Sequence, residues 1–238
     1  AQEVGDYGSA GSGTWVTAAN WLVCVTPGTW DGATIATAQP TSTVNVWIRN
    51  GHTITLDASG KTCKNLTIES GGAIMSGTTA ASNRYLRIYG TMLTNNGLIG
   101  NPTDNTDGIC FELYGSFTFT GTGVNKVSRI RPGSSQSNLT LTIDADILLT
   151  YQGSSGTGGA GIYTSNSNND NITIIINAGK TLTTLPKCNI NTASSTDSDG
   201  GANTTITVNG TIFQDSEANS GLGVAAGKTC NVTINGSW

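Results

Sequence analysis

Apolar residues alternate with polar residues in short segments along the chain, and this pattern predicts a series of short β-strands. The clearest segment is Asn203–Gly210, and its opening pattern of Asn, any residue, Thr, then Ile or Leu begins four other segments. Further segments keep the alternation without the Asn or the Thr. The central apolar residues are Ile48, Ile68, Ile88, Leu113, Leu141, Ile174, Ile206 and Ile234. A short strand that recurs and is followed by turn residues is typical of a repeat architecture.

The spacing of these segments distinguishes a coil from a hairpin. Successive central residues are separated by 20, 20, 25, 28, 33, 32 and 28 residues. A meander of hairpins repeats about every 8–12 residues, whereas one coil of a repeat solenoid takes roughly twenty or more. The lengthening gaps then indicate loops inserted at one corner of the later coils, in segments rich in Gly, Ser, Asn and Asp. No segment has a sustained helical period, so almost no helix is expected.

Stacked coils place equivalent residues in columns, because the residue between two inward apolar positions points outward. Arg87 and Glu112 fall next to each other in such a column, so that a cross-strand ion pair is expected. Glycines after the strands, such as Gly71 and Gly210, are predicted to turn the corners at positive φ. The asparagines that begin the repeated segments are predicted to lie at corners as well. The expected outward column contains Trp47, Thr67, Arg87, Glu112, Thr140, Thr173, Thr205 and Thr233.

The repeat divides the chain into a cap and a solenoid. Residues 1–44 do not follow the repeat and carry Trp15, Trp21 and Trp30. A solenoid has to seal its first rung, so this segment is predicted to be an aromatic cap; a sugar-binding aromatic platform is the alternative. Residues 45–238 are predicted to form one domain of about eight coils. Because a polar capping coil is missing after the last corner, we expect the chain to be a fragment of a longer protein.

Composition mainly excludes classes of function. The net charge of −4, with a pI of about 4.8, argues against a nucleic-acid partner, which needs a basic surface. No apolar run approaches the ~20 residues of a membrane-spanning helix. The chain starts without Met, which fits a mature end after signal-peptide removal and a secreted or cell-surface location. A monomeric module is expected.

The cysteines do not form a recognisable framework. Their odd number and their spacing match neither a disulfide scaffold nor a zinc site. Cys63 and Cys230 share a Gly-Lys-Thr-Cys context, so we expect them on different rungs as buried thiols. A disulfide between another pair stays open. The five residues are Cys24, Cys63, Cys110, Cys188 and Cys230.

One stretch resembles a known group of proteins. Pro40–Asp57 contains the string Asn50-Gly-His-Thr53 and is followed by Cys63–Ile68 and a Gly-Gly pair. Over about residues 40–75 it resembles the large secreted or surface-displayed β-helix proteins of Bacteroidetes-type bacteria, an adhesin-like branch of the pectate-lyase-like superfamily. The resemblance implies an all-β, right-handed, single-stranded parallel β-helix, export and a multidomain parent. It implies no catalytic residues, and the leader differs by extra residues between Trp21 and Pro40.

Several residues could carry chemistry or bind a ligand. His52 is the single histidine, and a structural hydrogen bond is preferred over a triad role. Asp144 and Asp146 are the best carboxylate pair for acid–base work on a polysaccharide, since residues two apart share a face. A solvated corner is the plainer interpretation. An arginine patch with nearby tyrosines could grip an acidic polysaccharide. These residues are Tyr85, Arg87, Tyr89, Arg129 and Arg131.

Two further hypotheses concern calcium and ice. Two Asp-rich loops end in Gly, as oxygen-ligand loops do, but lack the EF-hand spacing. Their acidic residues are Asp104, Asp107, Asp197 and Asp199. Paired threonines such as Thr140/Thr142 suggest an ice-binding face, which Ile175, Arg87 and Glu112 would interrupt.

Taken together, these patterns favour a non-enzymatic, extracellular structural or adhesive module of a larger surface protein, without a cofactor. Its partner would be a polysaccharide or another surface protein, contacted through loops on a rigid scaffold. The first alternative is a polysaccharide-binding or lyase-like β-helix with a groove lined by Arg87, Arg129, Asp144 and Asp146. The second alternative is an ice-binding β-solenoid.

Overall fold

The computed structural model describes most of the chain. The described residues are 1–77, 84–101, 103, 108–150, 160–164, 170–185, 188–191, 202–214, 221–224 and 227–238. Within them the structure is all-β, and the one helical element is a 3-10 helix at Ala18–Asn20.

The strands are short and recur along the chain in sets of three, one strand for each face. Each set of three is called a coil. The strands of the N-terminal segment are β1 (Tyr7–Ser9), β2 (Gly13–Thr14), β3 (Trp21–Val23) and β4 (Thr34–Ile35). The repeat then contains β5 (Val46–Ile48), β6 (Thr53–Leu56), β7 (Lys61–Cys63), β8 (Leu66–Ile68), β9 (Ala73–Ser76), β10 (Tyr85–Ile88), β11 (Met92–Asn95), β12 (Leu98–Ile99), β13 (Ile109–Leu113), β14 (Phe117–Thr120), β15 (Val124–Pro132), β16 (Thr140–Asp144), β17 (Ile147–Leu149), β18 (Ala160–Tyr163), β19 (Ile172–Ile176), β20 (Thr181–Thr184), β21 (Cys188–Asn191), β22 (Thr204–Val208), β23 (Thr211–Gln214), β24 (Gly221–Gly223) and β25 (Cys230–Ile234).

These strands form three faces by parallel pairing between coils. Face A contains β5, β8, β11, β14, β16, β19, β22 and β25. Face B contains β6, β9, β12, the start of β15, β17, β20 and β23, and face C contains β7, β10, β13, the rest of β15, β18, β21 and β24. The long strand β15 joins faces B and C into one sheet. Parallel strands need crossover connections rather than tight hairpins, and this arrangement is compatible with a β-solenoid.

The N-terminal segment extends two of the faces. Strand β1 pairs in parallel with β5 and antiparallel with β3, and β2 pairs in parallel with β6. Trp15 and Trp21 are fully buried, with their rings edge-to-face at 5.0 Å. The Trp21 indole Nε1 donates a hydrogen bond to the Trp15 carbonyl. Since both rings lie in the core, neither offers a face to a sugar.

A single apolar core runs through the coils. Strands with one apolar residue at every second position bury those residues and expose the ones between, as in the alternating burial of Ile172–Ile176. Each fully buried Leu, Ile or Phe contributes about 1.5–3 kcal/mol relative to an exposed one. Phe111 from face C meets Phe119 from face A edge-to-face, with ring centroids 5.9 Å apart. The core therefore connects the faces and holds neighbouring coils together.

The predicted column of central residues is wrong in its register. Ile48 pairs with Ile68 on face A, but Ile88 pairs with Leu113 on face C. The outward residues divide in the same way: Arg87 and Glu112 lie on face C, whereas the threonines of the column lie on face A. The reason is that each coil contains three strands with the same apolar alternation. The sequence pattern therefore does not distinguish a strand of face A from a strand of face C.

The predicted asparagine corners are present, and the asparagine side chains accept hydrogen bonds from backbone N–H groups of the next coil. The Asn65 Oδ1 accepts hydrogen bonds from the backbone N–H groups of Thr91 and Met92 in the next coil. Asn203 does the same for Thr229. Gly71 turns at φ +79, as expected. Gly210 is not among the positive-φ glycines; there a side chain would collide with the carbonyl oxygens of the coil below.

All five cysteines are free thiols. Cys63 is buried as predicted, and burial raises its pKa. Burial likewise raises the pKa of Cys188 to about 12. Cys230, the first residue of β25, is only half-buried, in contrast to the expectation.

Candidate functional site

Face C brings five of the seven predicted ligand-binding residues onto neighbouring strands, namely Tyr85, Arg87, Tyr89, Arg129 and Arg131. Strand β10 carries Tyr85 and Arg87, with Tyr89 directly after it, and β15 carries Arg129 and Arg131. Strand β13 lies between them, with Glu112 registered opposite both Arg87 and Arg131. All these residues alternate with inward apolar residues, so that their side chains share the outer surface of the sheet.

Glu112 is the centre of this cluster and is only 2% exposed. Its carboxylate lies 3.6 Å from the Arg87 Nε and 3.3 Å from the Arg131 Nη2, and it accepts a 2.8 Å hydrogen bond from the Tyr114 hydroxyl. The expected Arg87–Glu112 ion pair is thus confirmed. A buried carboxylate requires such compensation, because an unpaired charge away from water is costly.

Arg129 and Arg131 also contact tyrosines. The Arg131 guanidinium lies 4.3 Å from the Tyr85 ring centroid, and the Arg129 guanidinium lies 4.8 Å from that of Tyr163. The Arg129 Nη1 also donates a 2.8 Å hydrogen bond to the Tyr85 hydroxyl. Arg129 is 8% exposed, so this part of the cluster holds the face together. Arg87 is the most open member, with 41% of its side chain exposed.

A stacked tyrosine pair borders the cluster. The rings of Tyr89 and Tyr114 are nearly parallel, at 8°, with centroids 4.3 Å apart. Gly133 lies beyond Tyr114 on the next strand, where a side chain would meet the Tyr114 ring at 2.7 Å. Desolvation, the hydrogen bond to Glu112 and the charge of Glu112 together raise the pKa of Tyr114 to about 12.

Tyr114 is expected to ionise above the usual pH range of a tyrosine. Its folded pKa is raised above the usual value of 10, so its contribution to stability is complete below about pH 10 and is lost as the pH rises through about 12. A pH titration of tyrosinate absorbance should lose a step near pH 12 in Tyr114→Phe. Tyr89→Phe, which removes the hydroxyl of the stacking partner, should keep that step. A high step that survives Tyr114→Phe would contradict this assignment.

Asp144 and Asp146 do not join this cluster. Asp144 ends β16 on face A, where it accepts hydrogen bonds from the Asn177 Nδ2 at 3.1 Å and the Thr120 Oγ1 at 3.4 Å. Asp146 follows at the corner before face B, and its Oδ1 accepts the Thr181 backbone N–H at 2.8 Å. Both carboxylates connect neighbouring coils. The single groove expected to unite them with Arg87 and Arg129 is therefore split between different faces.

His52 has a structural contact, as the sequence indicated. Its Nδ1 lies 2.8 Å from the Ser9 Oγ, and the same oxygen accepts a hydrogen bond from the Arg49 backbone N–H. The pair fastens the N-terminal segment to the first coil.

The calcium hypothesis cannot be placed on the structure, because Asp104, Asp107, Asp197 and Asp199 lie outside the described residues. Elsewhere in the described ranges, no group of three or more His, Cys, Asp or Glu side chains could hold a metal ion.

Face A presents a second candidate surface, made of threonines. Thr140, Thr173 and Thr205 are aligned across three strands, and Thr67, Thr94 and Thr120 are aligned in another row. The outward threonines of face A are Thr67, Thr94, Thr118, Thr120, Thr140, Thr142, Thr173, Thr205, Thr207 and Thr233. The rows are interrupted by Met92, Ile175 and Asp144, but not by the Arg87–Glu112 pair.

Tyr114 and Tyr163 were not predicted as members of the face C cluster. Tyr114 could have been found, because it stands two residues after Glu112 as Tyr89 stands two residues after Arg87. Nothing in the sequence connects Tyr163 with Arg129, since β16 and β17 separate their strands along the chain.

No helix in the described part of the chain is long and apolar enough to cross a membrane. Comparisons with protein-family models, with curated proteins and with solved structures find no match to this chain.

Proposed function

We propose that the chain coils as a right-handed, single-stranded parallel β-helix of about eight coils, with residues 1–44 as its N-terminal cap. Strands of faces A, B and C follow one another in the same order along the chain. Parallel strands joined by crossovers are right-handed in about 98% of cases, which supports this handedness. A crystal structure showing a left-handed coil would overturn it.

We further propose that this β-helix is a non-enzymatic structural and adhesive module of a larger secreted or cell-surface protein. The observation that carries this proposal is the use of the candidate catalytic groups as fasteners between coils. His52 binds the N-terminal segment to the first coil. Asp144 and Asp146 connect neighbouring coils, on face A and at the corner before face B. What the scaffold offers to a partner is its extended outer faces rather than a set of converging reactive groups.

Two measurements on the purified chain test this proposal. Beads coated with the chain should adhere to films of secreted polysaccharide or matrix protein more than beads coated with albumin. The same preparation should leave the viscosity and the reducing ends of pectin and alginate unchanged. Depolymerisation that disappears in Asp144→Ala would refute the proposal and favour the lyase-like alternative.

Ice binding is the second candidate function, and a specific observation favours it. Face A carries aligned threonine rows from which two of the three expected interruptions, Arg87 and Glu112, are absent, while the third, Ile175, is present. Neighbouring strands lie ~4.8 Å apart, so the threonine hydroxyl and methyl groups repeat regularly within each row between the interruptions at Met92, Ile175 and Asp144. Such an array can order water in a lattice that matches ice.

A charge placed within the threonine rows tests this candidate. If face A binds ice, Thr142→Arg should abolish inhibition of ice recrystallisation. Thr183→Arg is the matched control, because Thr183 faces outward on face B. Equal activity in the wild type and both variants would place ice binding elsewhere, and an inactive wild type would dismiss it.

A further inference from the structure

Positive charge is concentrated on one part of an acidic protein. The chain carries 11 Lys and Arg residues and a net charge of −4. Six of these residues lie on or beside β7, β10 and the face C part of β15: Lys61, Lys64, Arg84, Arg87, Arg129 and Arg131. The strands β7, β10, β13 and β15 contain one acidic residue, Glu112, and this residue is buried. The surface of face C is therefore cationic near its first coils.

Arg87 is the member of this surface with open donors. Its Nε lies 3.6 Å from the Glu112 carboxylate, so that this edge of the guanidinium faces the buried charge. Among the described residues, none makes a hydrogen bond to its two Nη groups, and 41% of the side chain is exposed. An exposed, oriented guanidinium presents a two-pronged donor that matches a carboxylate or a sulfate.

An aromatic platform lies next to these donors. Tyr89 follows Arg87 by two residues, points to the same side and is 40% exposed. Stacking on Tyr114, which is held by its hydrogen bond to Glu112, fixes the Tyr89 ring. A ring that is already rigid gives contact area with little loss of side-chain entropy. The apolar C–H face of a sugar can pack on such a ring.

A second cation completes the arrangement. Ile88 is registered opposite Cys63, so Lys64, the next residue, is in line with Tyr89 on the neighbouring strand. The Tyr89 backbone N–H donates to the Cys63 carbonyl at 3.0 Å, which keeps these segments together. Lys64 is exposed. The tyrosine platform therefore has one cation two residues before it on its own strand and another beside it on the neighbouring strand.

We infer that Arg87, Tyr89 and Lys64 form a binding site for an anionic saccharide that carries carboxylate or sulfate groups. The guanidinium and the ammonium bind the anionic groups, and the tyrosine ring packs against the sugar between them. This inference rests on the proposed adhesive function and gives it a partner. The less exposed members, Arg129, Arg131 and Glu112, position the site and do not touch the ligand.

Affinity electrophoresis of the full chain tests the inference, with polygalacturonate, dextran sulfate or neutral dextran in the gel. Retardation is expected with one or both anionic polymers and not with dextran, and it should weaken at high salt. The polymer that retards the chain more identifies the anionic group. Arg87→Ala and Tyr89→Ala should each weaken binding at least tenfold. Lys180→Ala, which removes a cation remote from face C, should bind as the wild type does.

The outcomes separate the inference from the function on which it rests. Equal weakening by Arg87→Ala and Lys180→Ala would show unspecific attraction of charge and overturn the inference. Wild-type binding by Tyr89→Ala, or no retardation by either anionic polymer, would also overturn it. If coated beads still adhere in that case, the adhesive proposal survives with another contact surface. A circular dichroism spectrum like that of the wild type confirms that each variant is folded.

Discussion

Phe111→Ala is expected to lower the free energy of unfolding by about 3–5 kcal/mol, which is the usual cost of removing a buried phenylalanine side chain. Phe111 is fully buried and meets Phe119 edge-to-face at 5.9 Å, so the change deletes a contact between faces C and A and leaves a cavity. In a solenoid each coil is stabilised by its neighbours, and a central defect weakens the coils on both sides. Urea denaturation followed by circular dichroism measures the loss.

Phe213→Ala is the matched control for this prediction. Phe213 points outward on face B and is 59% exposed, so the same deletion should change the stability by less than about 0.5 kcal/mol. Equal shifts of the denaturation midpoint in the two variants would contradict the assigned core. A shift for Phe213→Ala alone would reverse the inward and outward sides of the strands.

Glu112→Ala is expected to cost about 3 kcal/mol. Removing one partner of a buried ion pair costs about 3–5 kcal/mol, because the other charge stays without compensation. The lower end applies here, since Arg87 and Arg131 keep 41% and 19% of their side chains exposed. The Tyr114 hydroxyl also loses its acceptor. Thermal and urea denaturation measure the cost, which should depend little on salt, because buried pairs are weakly screened.

Glu3→Ala is the control, because Glu3 is an exposed carboxylate in the N-terminal segment. It should leave the stability nearly unchanged. A double-mutant cycle with Arg131→Ala then isolates the pair: the two substitutions together should cost less than the sum of the single ones. Strict additivity would show that Glu112 and Arg131 act independently and that the cluster is not a network.

The fold was predictable to the level of strand type and pairing direction. The alternation at Ile172–Ile176 shows a strand with one buried side, and gaps of 20 residues or more exclude simple hairpins. The number of strands in a coil was not predictable, because β8 and β10 have the same apolar pattern on different faces. Only the hydrogen-bonded register shows that Ile68 and Ile88 belong to one coil rather than to two.

The candidate site was predictable in part. The ion pair of Arg87 and Glu112 was predictable, because each residue stands between two inward apolar residues of its strand, and the two strands are neighbours on face C. The union of Asp144 with Arg129 in one groove was wrong. Those residues are near in sequence, but a corner and a change of face separate them. The contact between Arg129 and Tyr163 depends on packing that no short sequence pattern encodes.

By itself, the sequence determined the all-β class, the coil-like spacing and the asparagine corners, because these depend on local residue patterns that recur along the chain. Tertiary structure alone decided which strand belongs to which face, and therefore which side chains meet. It placed the threonine rows on face A and gathered Arg87, Tyr89 and Lys64 on face C. The physical reason is that the pairing register aligns residues from different coils, and that loops of unequal length hide this alignment in the sequence.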